Sequence, residues 1–191
     1  MIQPMLVKIC PEDKQESFLD NPSYIGEVKY DGYRCICDNG KFYSRLGNDL
    51  SAKVPHLNFL SKYNVILDGE LYLPGGTSSD VTCILGSLPE RAIELQQQNG
   101  WLTYVVFDVL QVVNTRTMEL PYEQRREILS RLWDSEIDKE PTEFIEISLA
   151  TYDKRQLLKD IETIGGEGIV LKNIHAEYYP NKRPANNWLK I

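Results

Sequence analysis

Apolar and polar positions alternate along much of this chain with a period near two, in short runs separated by turn dipeptides. Only a few segments carry the wider spacing of a helix. The first strand-like run, Tyr24 to Tyr30, reaches Asp31-Gly32 and is followed by Arg34-Cys35-Ile36-Cys37, a pattern that predicts a hairpin bending at Asp31-Gly32. Asn39-Gly40 is a type I′ turn signal, so Lys41 to Arg45 is expected as a third strand, antiparallel to the second. A helix-like patch from His56 to Tyr63 precedes a strand over Val65 to Leu73. Two short helices, Ser79 to Leu88 and Pro89 to Gln98, are closed by Asn99-Gly100. Trp101 to Leu110 is too continuously apolar for a one-sided strand and is expected at the centre of a sheet. Amphipathic helices are predicted over Pro121 to Trp133 and Asp153 to Ile164, the second stopped by Gly165-Gly166. The chain closes with strands at Glu167 to Lys172 and Asn187 to Ile191, and residues 1–23 read as an arm or short helix ahead of the sheets. The fold class is α+β, antiparallel sheets with flanking helices.

Composition narrows this little. With 191 residues, 42% hydrophobic and 26% charged, the chain has enough apolar surface for one sizeable core. The formal charge of −7 argues against a generally basic nucleic-acid binder, since binding to phosphate backbones rests on counterion release by Lys and Arg. One local exception is the C-terminal end, where Lys172, Lys182, Arg183 and Lys190 face a single acid, Glu177. The four cysteines form no disulfide framework, and Cys35 and Cys37, on one strand face, read as core residues rather than a metal half-site. Without a signal peptide or a long apolar span, a cytosolic, reduced protein with no membrane association is expected.

Two places carry candidate chemistry. Lys29 stands near the Asp31-Gly32 bend with Arg34 close behind, although Lys and Arg beside an Asp-Gly turn are also what a solvated rim looks like. Asp68 and Glu70 interrupt an apolar strand and share a face, and two carboxylates there are costly to bury without a purpose.

Taken in order, these patches resemble the motif set of the covalent nucleotidyltransferases, the ATP-dependent DNA ligases and mRNA capping enzymes. Lys29-Tyr30-Asp31-Gly32-Tyr33-Arg34 is similar to the nucleotidyl-lysine motif, and Ser44-Arg45 to the arginine motif that follows it. Asp68-Gly69-Glu70 resembles the acidic strand motif and Tyr104 to Asp108 the aromatic-Asp strand. Glu167-Gly168-Ile169-Val170 and Trp188-Leu189-Lys190-Ile191 resemble the last two. Glu167, where capping enzymes typically have Asp, and the Lys182-Arg183 loop favour the ligase branch.

The resemblance implies an ATP-grasp-like adenylation domain over residues 1–191, with Lys29 as the nucleophile toward the α-phosphate of ATP. An unperturbed lysine, with a pKa of about 10.4, must first be made neutral by desolvation and nearby cations. The resemblance assigns Phe107 to the adenine face, Glu27 to the base edge, and Arg34, Arg45 and Glu70 to ribose and phosphate. Lys190 falls to the α-phosphate, Arg183 to the nucleotide from the preceding loop, and Glu70 and Glu167 to Mg²⁺ or Mn²⁺. Lys172 is included because the family has a basic residue there, although strict alternation puts it opposite Glu167. Asp68 and Asp108 are read as structural acceptors for neighbouring turns. Nicked duplex DNA is the implied partner, and a monomer, nucleoid-associated or phage-encoded, is expected. The family's last motif usually carries one more lysine and is followed by an oligonucleotide-binding (OB-fold) domain, both expected to be absent from this chain. The competing readings are a non-catalytic nucleotide- or nick-binding module and a capping guanylyltransferase.

Overall fold

Period-two alternation becomes two facing sheets. The computed structural model describes residues 2–135, 137 and 143–191. Its elements run β1 (Lys8–Ile9), α1 (Glu12–Asp20), β2 (Tyr24–Val28), β3 (Tyr33–Asp38), β4 (Lys41–Ser44), β5 (Val65–Tyr72), α2 (Ser78–Gly86) and α3 (Pro89–Asn99). They continue with β6 (Thr103–Val112), β7 (Thr115–Arg116), α4 (Tyr122–Ser135), β8 (Ile145–Ile147), β9 (Ala150–Thr151), α5 (Lys154–Thr163), β10 (Ile169–Asn173) and β11 (Trp188–Lys190). One sheet has the order β1-β11-β10-β2-β9; the other runs β4-β3-β5-β6-β7, with β8 also against β6. Pairing is antiparallel except at β1/β11 and β6/β8, so the expected α+β architecture stands with two parallel contacts added.

The expected hairpin around Asp31-Gly32 is not there. β2 belongs to the first sheet and β3 to the second, and they do not pair; the chain crosses between sheets from Lys29 to Gly32. The Asp-Gly signal marked a sharp bend correctly but not its partner strand, because β2 finds its ladders with β10 and β9, and β3 with β5 and β4. Asn39-Gly40, by contrast, closes β3 onto β4 with φ of 51° and 79°, and Gly40 has the backbone of Ser61 where a Cβ would stand. The patch after His56 is a 3₁₀ segment, Pro55–Lys62.

Three apolar clusters give the layers. Phe18 and Leu19 of α1 and Leu157 and Ile161 of α5 cover the outer face of the first sheet through Ile169, Leu171 and Leu189. Helices α2, α3 and α4 cover the outer face of the second sheet, where Cys35 and Cys37 are fully buried core residues. Between the sheets lies a seam of Ile36, Ile66, Phe107, Leu110 and Trp188, joined by Met5 and Tyr178. The register between β5 and β6 skips at Phe107 and at Leu110, and these bulges give the twice-buried strand two extra residues, both in the seam. Gly69 lets Tyr104 lie flat on β5, since a Cβ there would meet the Tyr104 ring and the Val105 carbonyl.

Asp108 takes an arginine fork as well as a backbone amide, the Val109 N–H donating to its Oδ1 at 2.9 Å. Arg125 Nε and Nη2 donate to its two oxygens at 2.8 Å each, and Nη1 donates to the carbonyls of Leu120 and Ala176. Both side chains are fully buried. Removing one member of such a pair leaves an uncompensated charge, so Arg125→Met is expected to cost about 3–5 kcal/mol in urea unfolding. A loss below about 1 kcal/mol would show that the pair does not hold α4 to β6.

Candidate active site

The seam opens into a cavity of about 220 Å³. Glu27 and Val28 reach it from β2, Lys29 and Tyr30 from the crossing, and Arg34, Glu70 and Phe107 from β3, β5 and β6. Val170, Lys172 and Trp188 close it from β10 and β11, Arg45 and Arg183 stand on loops at its rim, and Pro4 to Val7 form one wall. Residues spread from Pro4 to Trp188 thus share one surface, because both sheets turn their inner faces to it.

Lys29 is fixed by its backbone, whose N–H donates to the Gly168 carbonyl at 3.0 Å as the chain leaves β2. Its Nζ donates to the Glu167 carboxylate, and its side chain is 24% exposed. Burial lowers its pKa first and the charge of Lys190 second, while Glu70 and Asp31 act in the opposite sense. Contact with Glu167 likewise favours the ammonium. Lys190 itself does not line the cavity, and neither does Glu167.

Behind the cavity, Lys172 and Glu27, each 2% exposed, form a buried ion pair at 2.9 Å. Lys172 also donates to the Phe107 carbonyl at 3.2 Å and lies 4.4 Å from the centroids of the Phe107 and Trp188 rings. Glu27 further accepts from Tyr122 and from Ser148, the latter at 2.6 Å, and Arg126 donates to Ser148. Three donors therefore occupy the Glu27 carboxylate, which leaves it a support inside the wall more than a free reader of a base edge. Burial pulls the Lys172 pKa down against the pull of Glu27.

Arg34 is similarly committed. Its Nε and Nη2 each donate at 2.6 Å to Asp68, which is fully buried, and its guanidinium lies 4.4 Å from the Phe107 centroid. Asp68 thus serves a charged fork rather than a neighbouring turn, and Phe107, 8% exposed, has cations on it before any base arrives. Asp68 and Glu70 do share the inner face. Glu70 has its pKa pushed up to about 7, by burial first, with Arg34 and Lys29 opposing and Asp68 and Asp31 adding to it.

Among the described residues no group of three or more His, Cys, Asp or Glu gathers as a metal site. Glu70 and Glu167 still fit a Mg²⁺ that takes one or two carboxylates and draws its other ligands from triphosphate and water. Sequence reasoning overlooked Val170, Tyr30, the Trp188 ring and the Pro4 to Val7 wall as lining residues. Val170 was accessible through its i, i+2 spacing from Lys172; the wall had no signal, because it depends on a contact between the two ends of the chain.

Two facing sheets thus carry a half-buried lysine at the crossing and a cation-rich cavity between them. The chain belongs to the ATP dependent DNA ligase domain family, whose model matches residues 4–191. A DNA ligase of Methanococcus vannielii is 31% identical over 210 residues, covering 95% of this chain and 36% of that protein. The SPbeta prophage-derived DNA ligase-like protein LigB of Bacillus subtilis is 31% identical over 200 residues, covering all of this chain and 67% of that protein. The ligase domain of LigD from M. tuberculosis superposes with a TM-score of 0.75 at 23% identity, over 99% of this chain and 60% of that one, a likeness of fold. The chain thus spans about a third of the archaeal relative's length.

The raised Glu70 pKa has a stability consequence. Below about pH 4.5 the carboxyl is protonated folded or unfolded; between there and about 7 only the unfolded chain ionises it, so stability falls with rising pH. Glu70→Gln is therefore expected to raise the melting temperature of the nucleotide-free protein at pH 8, by about 1–3 kcal/mol equivalent, and to leave it unchanged near pH 4.5. A variant less stable than wild type at pH 8 would contradict the assignment.

Proposed function

We propose that this chain catalyses self-adenylation, Lys29 Nζ attacking the α-phosphate of ATP. The observation that carries the reading is the position of Lys29: at the inter-sheet crossing, with lowered pKa, on the wall of a cavity also lined by Arg34, Arg45, Arg183 and an aromatic ring. Attack needs a lone pair, so the Lys29–Glu167 contact must open or give up its proton before the P–N bond forms. As that bond forms, the bond from the α-phosphorus to the bridging oxygen breaks and pyrophosphate leaves, giving lysyl-AMP. Arginines at the rim suit such a step, which depends on positioning and charge neutralisation more than on covalent chemistry.

The remaining assignments belong to the same proposal. The adenosine is placed against Phe107 and Val170, with Arg34 and Glu70 beside the ribose and Arg45, Arg183 and Lys190 toward the phosphates. Glu27 and Lys172 act from within the wall. Mg²⁺, held by Glu70 and Glu167 together with the triphosphate, would supply charge neutralisation for the departing pyrophosphate. The acceptor of the AMP is proposed to be the 5′-phosphate at a nick in duplex DNA, in keeping with the family. Among the described residues no helix is long and apolar enough to cross a membrane. Because the relatives are longer than the aligned span, the step to test on this chain is adenylation rather than sealing.

Incubated with α-³²P-ATP and Mg²⁺ and then denatured, the protein should retain acid-labile label that Lys29→Ala reduces to background. Label of equal strength on Lys29→Ala would place the nucleophile elsewhere.

A further inference from the structure

Tyr178 lies in the loop between β10 and β11, outside the residues assigned above, and is 3% exposed. Its hydroxyl makes two hydrogen bonds. It donates to Asp68 Oδ2 at 2.6 Å and accepts from the Met5 N–H at 2.8 Å. Asp68 Oδ2 is also one of the two oxygens that hold the Arg34 fork. One phenol therefore joins the N-terminal wall of the cavity to the carboxylate that orients Arg34 on Phe107.

The contacts around it have the same direction. Leu6 N–H donates to the Lys182 carbonyl at 2.8 Å, and Asn181 N–H to the Gln3 carbonyl at 3.3 Å, so the arm is held by the loop that carries Arg183. Those are backbone bonds available to any sequence. The Tyr178 hydroxyl is the side-chain bond that reaches from this clasp into the sheet, and its ring packs edge-on to Trp188 at 5.8 Å.

We propose that Tyr178 is a positioning residue for nucleotide binding, its hydroxyl setting the Pro4–Val7 wall and the Arg34–Asp68 fork at a fixed spacing. The inference rests on the adenylation reading. Tyr178→Phe removes both bonds, keeps the ring, and leaves Asp68 one donor short and the Met5 amide without an acceptor. The wall then loosens and the fork is free to turn.

A matched control exists in Tyr24, 4% exposed, whose hydroxyl donates to the Asn186 carbonyl at 2.7 Å away from the cavity. Single-turnover self-adenylation across a range of ATP concentrations, with hydrogen exchange of the 2–8 segment, separates the possibilities. Tyr178→Phe is expected to raise the half-saturating ATP concentration about tenfold, to change the saturated rate less than about threefold, and to speed exchange at Met5 and Leu6. Tyr24→Phe should do none of these. An unchanged ATP requirement, unchanged exchange, or the same change in Tyr24→Phe would overturn the inference while wild-type adenylation still stood. Absence of adenylation in the wild type would instead remove the reading on which the inference rests, and the inference with it.

Discussion

Two buried charges on the inner face of one sheet set the geometry of the rest. Lys172 and Glu27 sit side by side on β10 and β2, and neither is tolerable in an apolar seam without full satisfaction. Their partners come from the other layer: the Phe107 carbonyl of β6, the Tyr122 hydroxyl of α4, and Ser148 just past β8. Pairing the charges therefore pins sheet to sheet at one depth. Replacing such a pair by apolar residues often costs nothing in stability, so its value here is geometric, holding Phe107 at the cavity wall.

The same device recurs on the second sheet. Arg34 stands opposite Glu70 on the β3–β5 ladder and reaches diagonally to Asp68, forming a fork whose outer face meets Phe107. Arg125 and Asp108 repeat it at the root of α4. Each of these acids interrupts an apolar strand, and each is answered by an arginine. The polar seam keeps the sheets from closing onto one another as a dry sandwich, and the space between them is the cavity. Lys29 stands at its edge because the chain passes from one sheet to the other there, and burial beside Lys190 disfavours its charge.

Much of this was legible from residue order alone. Alternation located the longer strands but not the short β1, β7, β8 and β9; the Asn39-Gly40 turn was assigned with its partner strands, and the continuous apolar run of β6 marked a central strand. The partner of β2 was misjudged, because a local bend signal cannot report the distant ladders of β2 with β10 and of β3 with β5. Asp68 and Asp108 read as structural acceptors, but their arginine partners lie beyond any local pattern: the resemblance gives Arg34 to the ligand, and Arg125 sits on α4, buried there with Tyr122 and Leu129. The wall from Pro4 to Val7 arises from a contact across nearly the full length of the chain, and the commitment of Glu27 to Tyr122 and Ser148 from contacts 95 and 121 residues apart. Periodicity has no access to these.

The central claim is that the amine at the crossing reaches the α-phosphate of a nucleotide held in the inter-sheet cavity. A crystal structure of the protein after incubation with ATP and Mg²⁺ tests it most directly. Continuous density from Lys29 Nζ to the phosphorus of AMP, with the base lying between Phe107 and Val170, is the result the account predicts. AMP seated outside the cavity, or joined to a different residue, would contradict it.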